Sequence, residues 1–378
     1  MMLSKIIDVF TKIPAKVALS TVYGKDKYRA EFPCFVRIGD TSIMISFFRL
    51  ADDHFASVSQ LMYCVSDDFG RNWTKPVVLS QLIASETNSS WNCPSCVVLK
   101  DETILLCCEE SVKDLGNIRD ERLFKVNQHF WRFSFKNNRL EILDKWSVNY
   151  FNVFGFNQDR VLVLPNGHWM MGWHFYGNKI VIDGKAISEN PNLIQCVSFS
   201  EDEGKSWGNH RVVTDQPGAN LCDGNMVFIN STRIGCFMRD HSFNGAPSYV
   251  SFSDDFGQTW TLPQALPFSG HHNITKRVTD NIFFSFYRNV SMRDGTINKA
   301  DIGVWGAFFR IDDLSRCFSF EIENDGTMWQ NCGWGDVELI NPSTLFCQYY
   351  LTGERDYPVI RQAKVNFNIN KIKSILGR

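Results

Sequence analysis

The sequence predicts an all-β fold, a six-bladed β-propeller, on three observations: an aromatic excess, one turn pattern written three times, and six β-hairpins at a near-constant period. The aromatics come first. The 378 residues include 31 Phe, 11 Trp and 10 Tyr, 14% of the chain. Aromatic side chains favour pleated, half-buried surfaces, which leans away from helical bundles. Hydrophobic residues at 44% and charged residues at 21% are ordinary for a folded chain and exclude disordered, collagen-like and low-complexity classes.

The turn pattern is S-x-D-x-G-x-x-W. It occurs at Ser66–Trp73, Ser200–Trp207 and Ser253–Trp260. Its physics is that of a hairpin turn. Asp68, Asp202 and Asp255 accept backbone N–H groups; Gly70, Gly204 and Gly257 take positive φ; Trp73, Trp207 and Trp260 fold back between neighbouring strands. The gaps between copies are 134 and 53 residues, so one unit of about 60 residues lacks the turn.

The hairpins run Pro33–Arg49, Cys93–Glu110, Asp159–Phe175, Asp223–Arg239, His272–Arg288 and Gly335–Tyr350. Their second strands end 61, 65, 64, 49 and 62 residues apart, with no helical pattern between them. Units of this length with short strands read as propeller blades. A strand near Val17–Tyr23 is expected to complete the last blade and close the ring. No linker or charge run marks a second domain, so residues 1–378 are read as one.

The net charge of −2 and pI near 6.5 lack the basic face that nucleic acid needs. No apolar run approaches the length of a membrane span. The first sixteen residues scatter charges through their apolar part and make a poor secretory signal. The twelve cysteines show no disulfide-scaffold spacing: Cys107 and Cys108 are adjacent, and Cys34, Cys64, Cys196, Cys236 and Cys347 sit in apolar runs. They read as reduced core residues, and a cytoplasmic location is expected. Cys93-Pro-Ser-Cys96 is a lone pair without a second pair at ligand spacing, so neither metal nor other cofactor is expected. The sequons at Asn88, Asn230, Asn273 and Asn289 are then chance matches.

The S-x-D-x-G-x-x-W turns resemble the Asp boxes of the sialidase superfamily, and the resemblance covers essentially the whole chain. It implies a six-bladed propeller whose site lies at the channel mouth, away from the boxes. The charged residues after each second strand are the ones expected to converge there: Arg49 with Asp52, Asp53 and His54; Glu109 and Glu110; His174; Arg239 with Asp240 and His241; and Arg288.

Sialidases hold the sugar carboxylate with three arginines, a planar bidentate match. By resemblance, Arg49, Arg239 and Arg288 are substrate-binding; Asp52 or Asp53 is the acid/base; Asp223 occupies the place of a Glu that activates a Tyr nucleophile. Two positions depart. Glu31, in Glu31-Phe32-Pro33, stands where the first arginine belongs, and is expected to pair with Arg49 or a sugar hydroxyl. Trp334 stands where the nucleophilic Tyr belongs, leaving Asp336 as a nucleophile or water activator. His241 and His272 are candidate proton carriers, and Trp334 a surface for a sugar face.

The expected partner is a carbohydrate. The expected chemistry is exo-acting hydrolysis of a terminal, acidic or otherwise non-standard sugar by two carboxylates, about 5 Å apart for retention and about 6.5–9.5 Å for inversion. The alternatives are a non-catalytic glycan-binding propeller, or lyase or glycosyl-transfer chemistry on the same fold.

Overall fold

The computed structural model describes residues 15–24, 27–52, 58–112, 125–149, 160–176, 181–182, 185–186, 188–242, 245–289, 292–293, 296–297, 303–324, 332–352 and 357–377. Its first strand, β1 (Ala15–Tyr23), belongs to the last blade. The first blade holds β2 (Arg29–Arg37), β3 (Met44–Ala51), β4 (Val58–Ser66) and β5 (Val77–Ile83), followed by the one-turn helix α1 (Ala84–Thr87). The second holds β6 (Ser89–Val98), β7 (Ile104–Val112), β8 (Lys125–Lys136) and β9 (Arg139–Asn149). The third holds β10 (Leu162–Val163), β11 (Trp169–Tyr176), β14 (Leu193–Ser200) and β15 (Gly208–Thr214), with a two-stranded ribbon of β12 (Val181–Ile182) and β13 (Lys185–Ala186) inserted.

The fourth blade holds β16 (Leu221–Phe228), β17 (Ile234–Asp240), β18 (Tyr249–Ser253) and β19 (Gln264–Ala265). The fifth holds β20 (Gly270–Arg277), β21 (Ile282–Asn289), β24 (Val304–Arg310) and β25 (Cys317–Glu323), with the ribbon β22 (Met292–Arg293) and β23 (Thr296–Ile297) inserted. The sixth holds β26 (Gly335–Asn341), β27 (Thr344–Leu351), β28 (Val359–Phe367) and β1. All blade pairings are antiparallel. A C-terminal helix, α2 (Ile369–Leu376), is capped by the Asn368 side chain and buries Ile372 and Leu376.

The expected ring closure holds, with Ala15 paired to Phe367 and Tyr23 to Ile360. The shortest interval between hairpins also has a cause: the outer strand of the fourth blade is only two residues long.

The innermost strands β2, β6, β16, β20 and β26 pack on one another around the central axis. The core lies between blades. On β3, Phe47 faces the second blade with Trp131 and Phe133, while Phe48 faces the sixth with Tyr350 and Ile360. On β21, Phe283 packs toward the fourth blade and Phe284 toward the sixth. A strand sandwiched on both faces buries consecutive residues, so its sequence loses the polar alternation of a one-sided sheet. That is why the chain writes Phe47-Phe48 and Phe283-Phe284, each burial contributing roughly 1.5–3 kcal/mol. Ten of the twelve cysteines, including Cys107 and Cys108 on β7, are buried in these layers.

The three S-x-D-x-G-x-x-W turns follow β4, β14 and β18 and share one geometry. Ser66 Oγ donates to Asp68 Oδ1 at 2.8 Å and accepts from Gly70 N at 2.9 Å. Asp68 Oδ1 accepts from Arg71 N and Asn72 N at 2.9 and 2.8 Å, and these contacts hold its carboxyl down at about 2. Asp202 and Asp255 repeat the bond to the fourth following N–H, at 2.8 Å each. The glycines are required twice over. Gly257 has φ 90°, and a Cβ there would lie 2.6 Å from Met170 Sδ. The tryptophans fold back as expected: Trp73 donates to Gln362 of the sixth blade at 2.9 Å, and Trp260 to the Gly257 carbonyl at 3.0 Å. In the second blade a two-residue Asn137-Asn138 turn, both at positive φ, replaces this structure and matches the primed turns that suit tight hairpins.

Candidate active site

Four inner strands break register at the same level. Between Glu31 and Cys34, Asn92 and Ser95, Cys222 and Asn225, and His271 and Ile274, one extra residue bulges from the strand. The second residue of each bulge sits at positive φ: Phe32 at 52°, Cys93 at 40°, Asp223 at 53° and His272 at 53°. None is glycine, and each such backbone costs about 1–3 kcal/mol that the surrounding packing must offset. A bulge bends the strand and re-aims its side chains. Directly across from the residues that open the bulges stand Arg49, Glu109, Arg239 and Arg288. These are the predicted strand-end charges, and all four are buried.

The charges form two groups. In the first, the Arg239 Nε donates to Asp223 Oδ2, and His174 Nδ1 lies 3.5 Å from Asp223 Oδ1. His271 Nδ1 stands 3.2 Å from both the Arg239 and the Arg288 guanidinium. Arg288 also donates to the Cys332 carbonyl at 3.2 Å. Burial alone would raise the Asp223 carboxyl, but Arg239, with His174 and His272, overrides it and holds the pKa at about 2. Burial pushes His174 down to about 4, with Asp223 opposing and Arg239 assisting. Burial likewise lowers His271, helped by both arginines. At neutral pH the group is therefore an ionised carboxylate and two guanidiniums bridged by neutral imidazoles. The Asp223 Oδ1 atom is buried and has no hydrogen-bond partner among the described residues.

In the second group, Glu31 lies between two arginines. Arg49 donates to Oε2 at 2.9 Å, and Arg29 donates twice to Oε1, at 2.9 and 2.7 Å. The expectation that Glu31 pairs with Arg49 holds, and Arg29 adds a second partner. Glu109 accepts from Ser111 Oγ at 2.5 Å. Glu110 pairs with His129 at 2.7 Å.

A small pocket opens between the bulges and the axis, lined by Phe32, Cys93, Arg160, His272, Trp334 and Asp336, among others. His272 and Trp334 stack with ring centroids 4.4 Å apart and planes 8° apart. Phe32 packs edge-on against Trp334 at 5.2 Å. The Asp336 carboxylate accepts from Arg160, from Phe35 N at 3.2 Å and from Val337 N at 2.6 Å. A carboxylate so fully engaged is a structural anchor at the channel wall.

Among the predicted site residues, the structure thus brings together Asp223, Arg239, Arg288 and His174, and beside them Glu31 and Arg49. His272, Trp334 and Asp336 line the cavity. His241 stands near Arg239 and Asp223, with its pKa lowered to about 4 by burial first. Asp52 accepts from Val58 N at 3.1 Å. Asp53 and His54 lie outside the described residues. Three participants went unassigned in the sequence: Arg160, Arg29 and the bridging role of His271. Arg160 was visible only as the first charge of the third hairpin, and its partner Asp336 lies in another blade. His174, Cys222 and Asp223 also place one ligand-type atom each within 4.8 Å, but Arg239 competes with any cation for the Asp223 carboxylate.

No protein-family model and no curated protein matches the chain. Solved structures do. A protein of unknown function from Dyadobacter fermentans DSM 18053 is similar over 94% of this chain and 100% of its own, at 16% identity and a TM-score of 0.75. The phage phi92 endosialidase is similar over 94% of this chain and 69% of its own, at 10% identity and a TM-score of 0.65. A Trypanosoma rangeli sialidase mutant is similar over 95% and 60%, at 11% identity and a TM-score of 0.60. At these identities the likeness concerns the backbone: the chain is a six-bladed β-propeller with the sialidase-like fold.

Proposed function

We propose that the chain is a glycosidase acting on a terminal acidic sugar at the channel mouth. The observation that carries this reading is the pair of buried guanidiniums, Arg239 and Arg288, converging on His271 beside the ionised Asp223. Two cations against one carboxylate suit an anionic ligand, and a sugar carboxylate matches planar guanidinium donors. Trp334, backed by His272, supplies a flat surface for the apolar face of a ring. In this reading Asp223 is the base or the nucleophile, and Asp53, two positions beyond the end of β3 in the sequence, is the acid. The three S-x-D-x-G-x-x-W turns, read as Asp boxes, and the sialidase and endosialidase names among the structural neighbours support it.

The test is a panel of aryl glycosides of sialic acid, related nonulosonic acids, hexuronic acids and deoxyhexoses, assayed with the wild type and with Asp223→Asn and Asp53→Asn. Turnover of an acidic glycoside, reduced in both variants, is expected. Full turnover in both variants would overturn the assignment. A second reading, a propeller that binds glycans without turnover, is favoured by Glu31 being held by two arginines and by Trp334 occupying the nucleophile's place. Retention on a glycan array, with no product by mass spectrometry, would select it.

A further inference from the structure

Tyr350, near the end of β27, is 2% exposed. Its backbone is fixed on both sides: its N–H donates to the Trp334 carbonyl at 3.3 Å, and its carbonyl accepts from Gly333 N at 3.0 Å. The same short segment presses on Arg288. The Cys332 carbonyl accepts from Arg288 Nη1, and Gly333, at φ 85°, is so close that a Cβ would lie 2.6 Å from Arg288 Cβ. On the other side, Phe32 packs edge-on against the Tyr350 ring at 5.6 Å. The phenol therefore stands between the Glu31–Phe32 bulge and the segment that presses on Arg288.

Among the described residues the Tyr350 hydroxyl makes no hydrogen bond. Burial raises its pKa, Glu31 adds to the rise, and Arg288 opposes it, so the phenol keeps its proton and is a donor. Glu31 is already engaged by Arg29 and Arg49. With no protein acceptor among the described residues, the hydroxyl proton is left for a ligand oxygen.

We propose that Tyr350 is a specificity-determining residue of the site, its hydroxyl donating beside the Arg288 guanidinium to a carboxylate oxygen of an acidic sugar. A neutral and a cationic donor side by side define an oxyanion position. The substrate class rests on the glycosidase reading above; the assignment of Tyr350 has its own test.

The experiment measures binding rather than turnover. Free N-acetylneuraminic acid and glucuronic acid, each with its methyl ester, are titrated against the wild-type protein and Tyr350→Phe, followed by tryptophan fluorescence and calorimetry. The wild type is expected to prefer at least one acid over its ester. Tyr350→Phe is expected to weaken that acid by about 10-fold or more, the effect of one hydrogen bond to a charged group, and to leave the ester unchanged, with an unaltered Tm. Equal losses for acid and ester mean a packing role and overturn the proposal. So does an unchanged acid affinity, or a wild type indifferent to the carboxylate. Turnover is scored apart. Acid binding that depends on Tyr350 without hydrolysis in either protein overturns only the glycosidase reading. Hydrolysis lost in Tyr350→Phe at unchanged acid affinity overturns only this one.

Discussion

At one end of the first blade, Ser66, Asp68 and Gly70 close a turn in which the carboxylate accepts several local N–H groups and the glycine supplies the positive φ. At the other end of the same blade, Phe32 takes a positive φ without being glycine, and Glu31 and Arg49 are buried together as ions. The serine and carboxylate of the turn are satisfied by residues a few positions apart, and only its edge, through Trp73 and Gln362, reaches the sixth blade, whereas the mouth is satisfied by residues from other strands and other blades. The polar centre of the turn is therefore closed locally, and the mouth only inside the assembled ring. Strained backbone and ionised groups concentrate at the mouth, the place proposed above for a ligand.

The sharpest way to break this contrast is at Asp223. Asp223→Asn removes the carboxylate that compensates Arg239. Turnover of any acidic glycoside found in the panel is expected to fall by about 100-fold or more, and urea unfolding to show about 3–5 kcal/mol less stability. A variant with unchanged turnover and midpoint would erase the distinction between the two ends. Next in size is the layer that both ends share. Phe47→Ala should cost about 3–5 kcal/mol by the same measurement, through the cavity it leaves between the first two blades.

Acid should act on the mouth and spare the turns. His174, His241 and His272 are held near 4 when folded, against about 6.5 in the unfolded chain. The unfolded state then binds more protons, so stability rises with pH. The contribution is fully present above about 6.5 and is lost as pH falls toward 4. Asp223, held at about 2, acts in the same direction at lower pH. Urea midpoints at pH 7, 5.5 and 4 should drop steadily, and His174→Gln should flatten the slope. An equal slope in that variant would show that His174 is not among the groups taking up protons. The smallest effect is expected at the turns. Asp255→Ala should cost about 1 kcal/mol, like the loss of a helix cap, with sugar-acid affinity untouched.

The same contrast explains what could be read in the sequence. The turns were legible because residue type and conformation agree there: Asp accepts, Gly turns, and Trp packs at fixed spacing. The hairpins and the closing strand β1 were legible from apolar runs broken by turn residues. The mouth was legible only in part. Arg49, Arg239, Arg288 and Asp223 were found from their shared place in the repeat. The bulges were not, because Phe32 and Cys93 are not residues that favour positive φ, and Asp223 and His272 adopt it only somewhat more often than most; the ring imposes it. Nor was Arg160, whose partner Asp336 lies 176 positions away, or His271, whose role exists only because Arg239 and Arg288 reach it from two blades.

The pairing of β1 with β28 carries a further consequence. Ala15 meets Phe367, so this strand, made before the rest of the ring, waits for almost all of it before its partner exists. Contacts of such long range form slowly. Until they do, β28 offers an open edge, and Tyr350 on the adjacent strand belongs to an unclosed seam between the first and sixth blades. The mouth therefore matures last, and a chain stalled before closure would hold correctly formed turns around a site that does not yet exist.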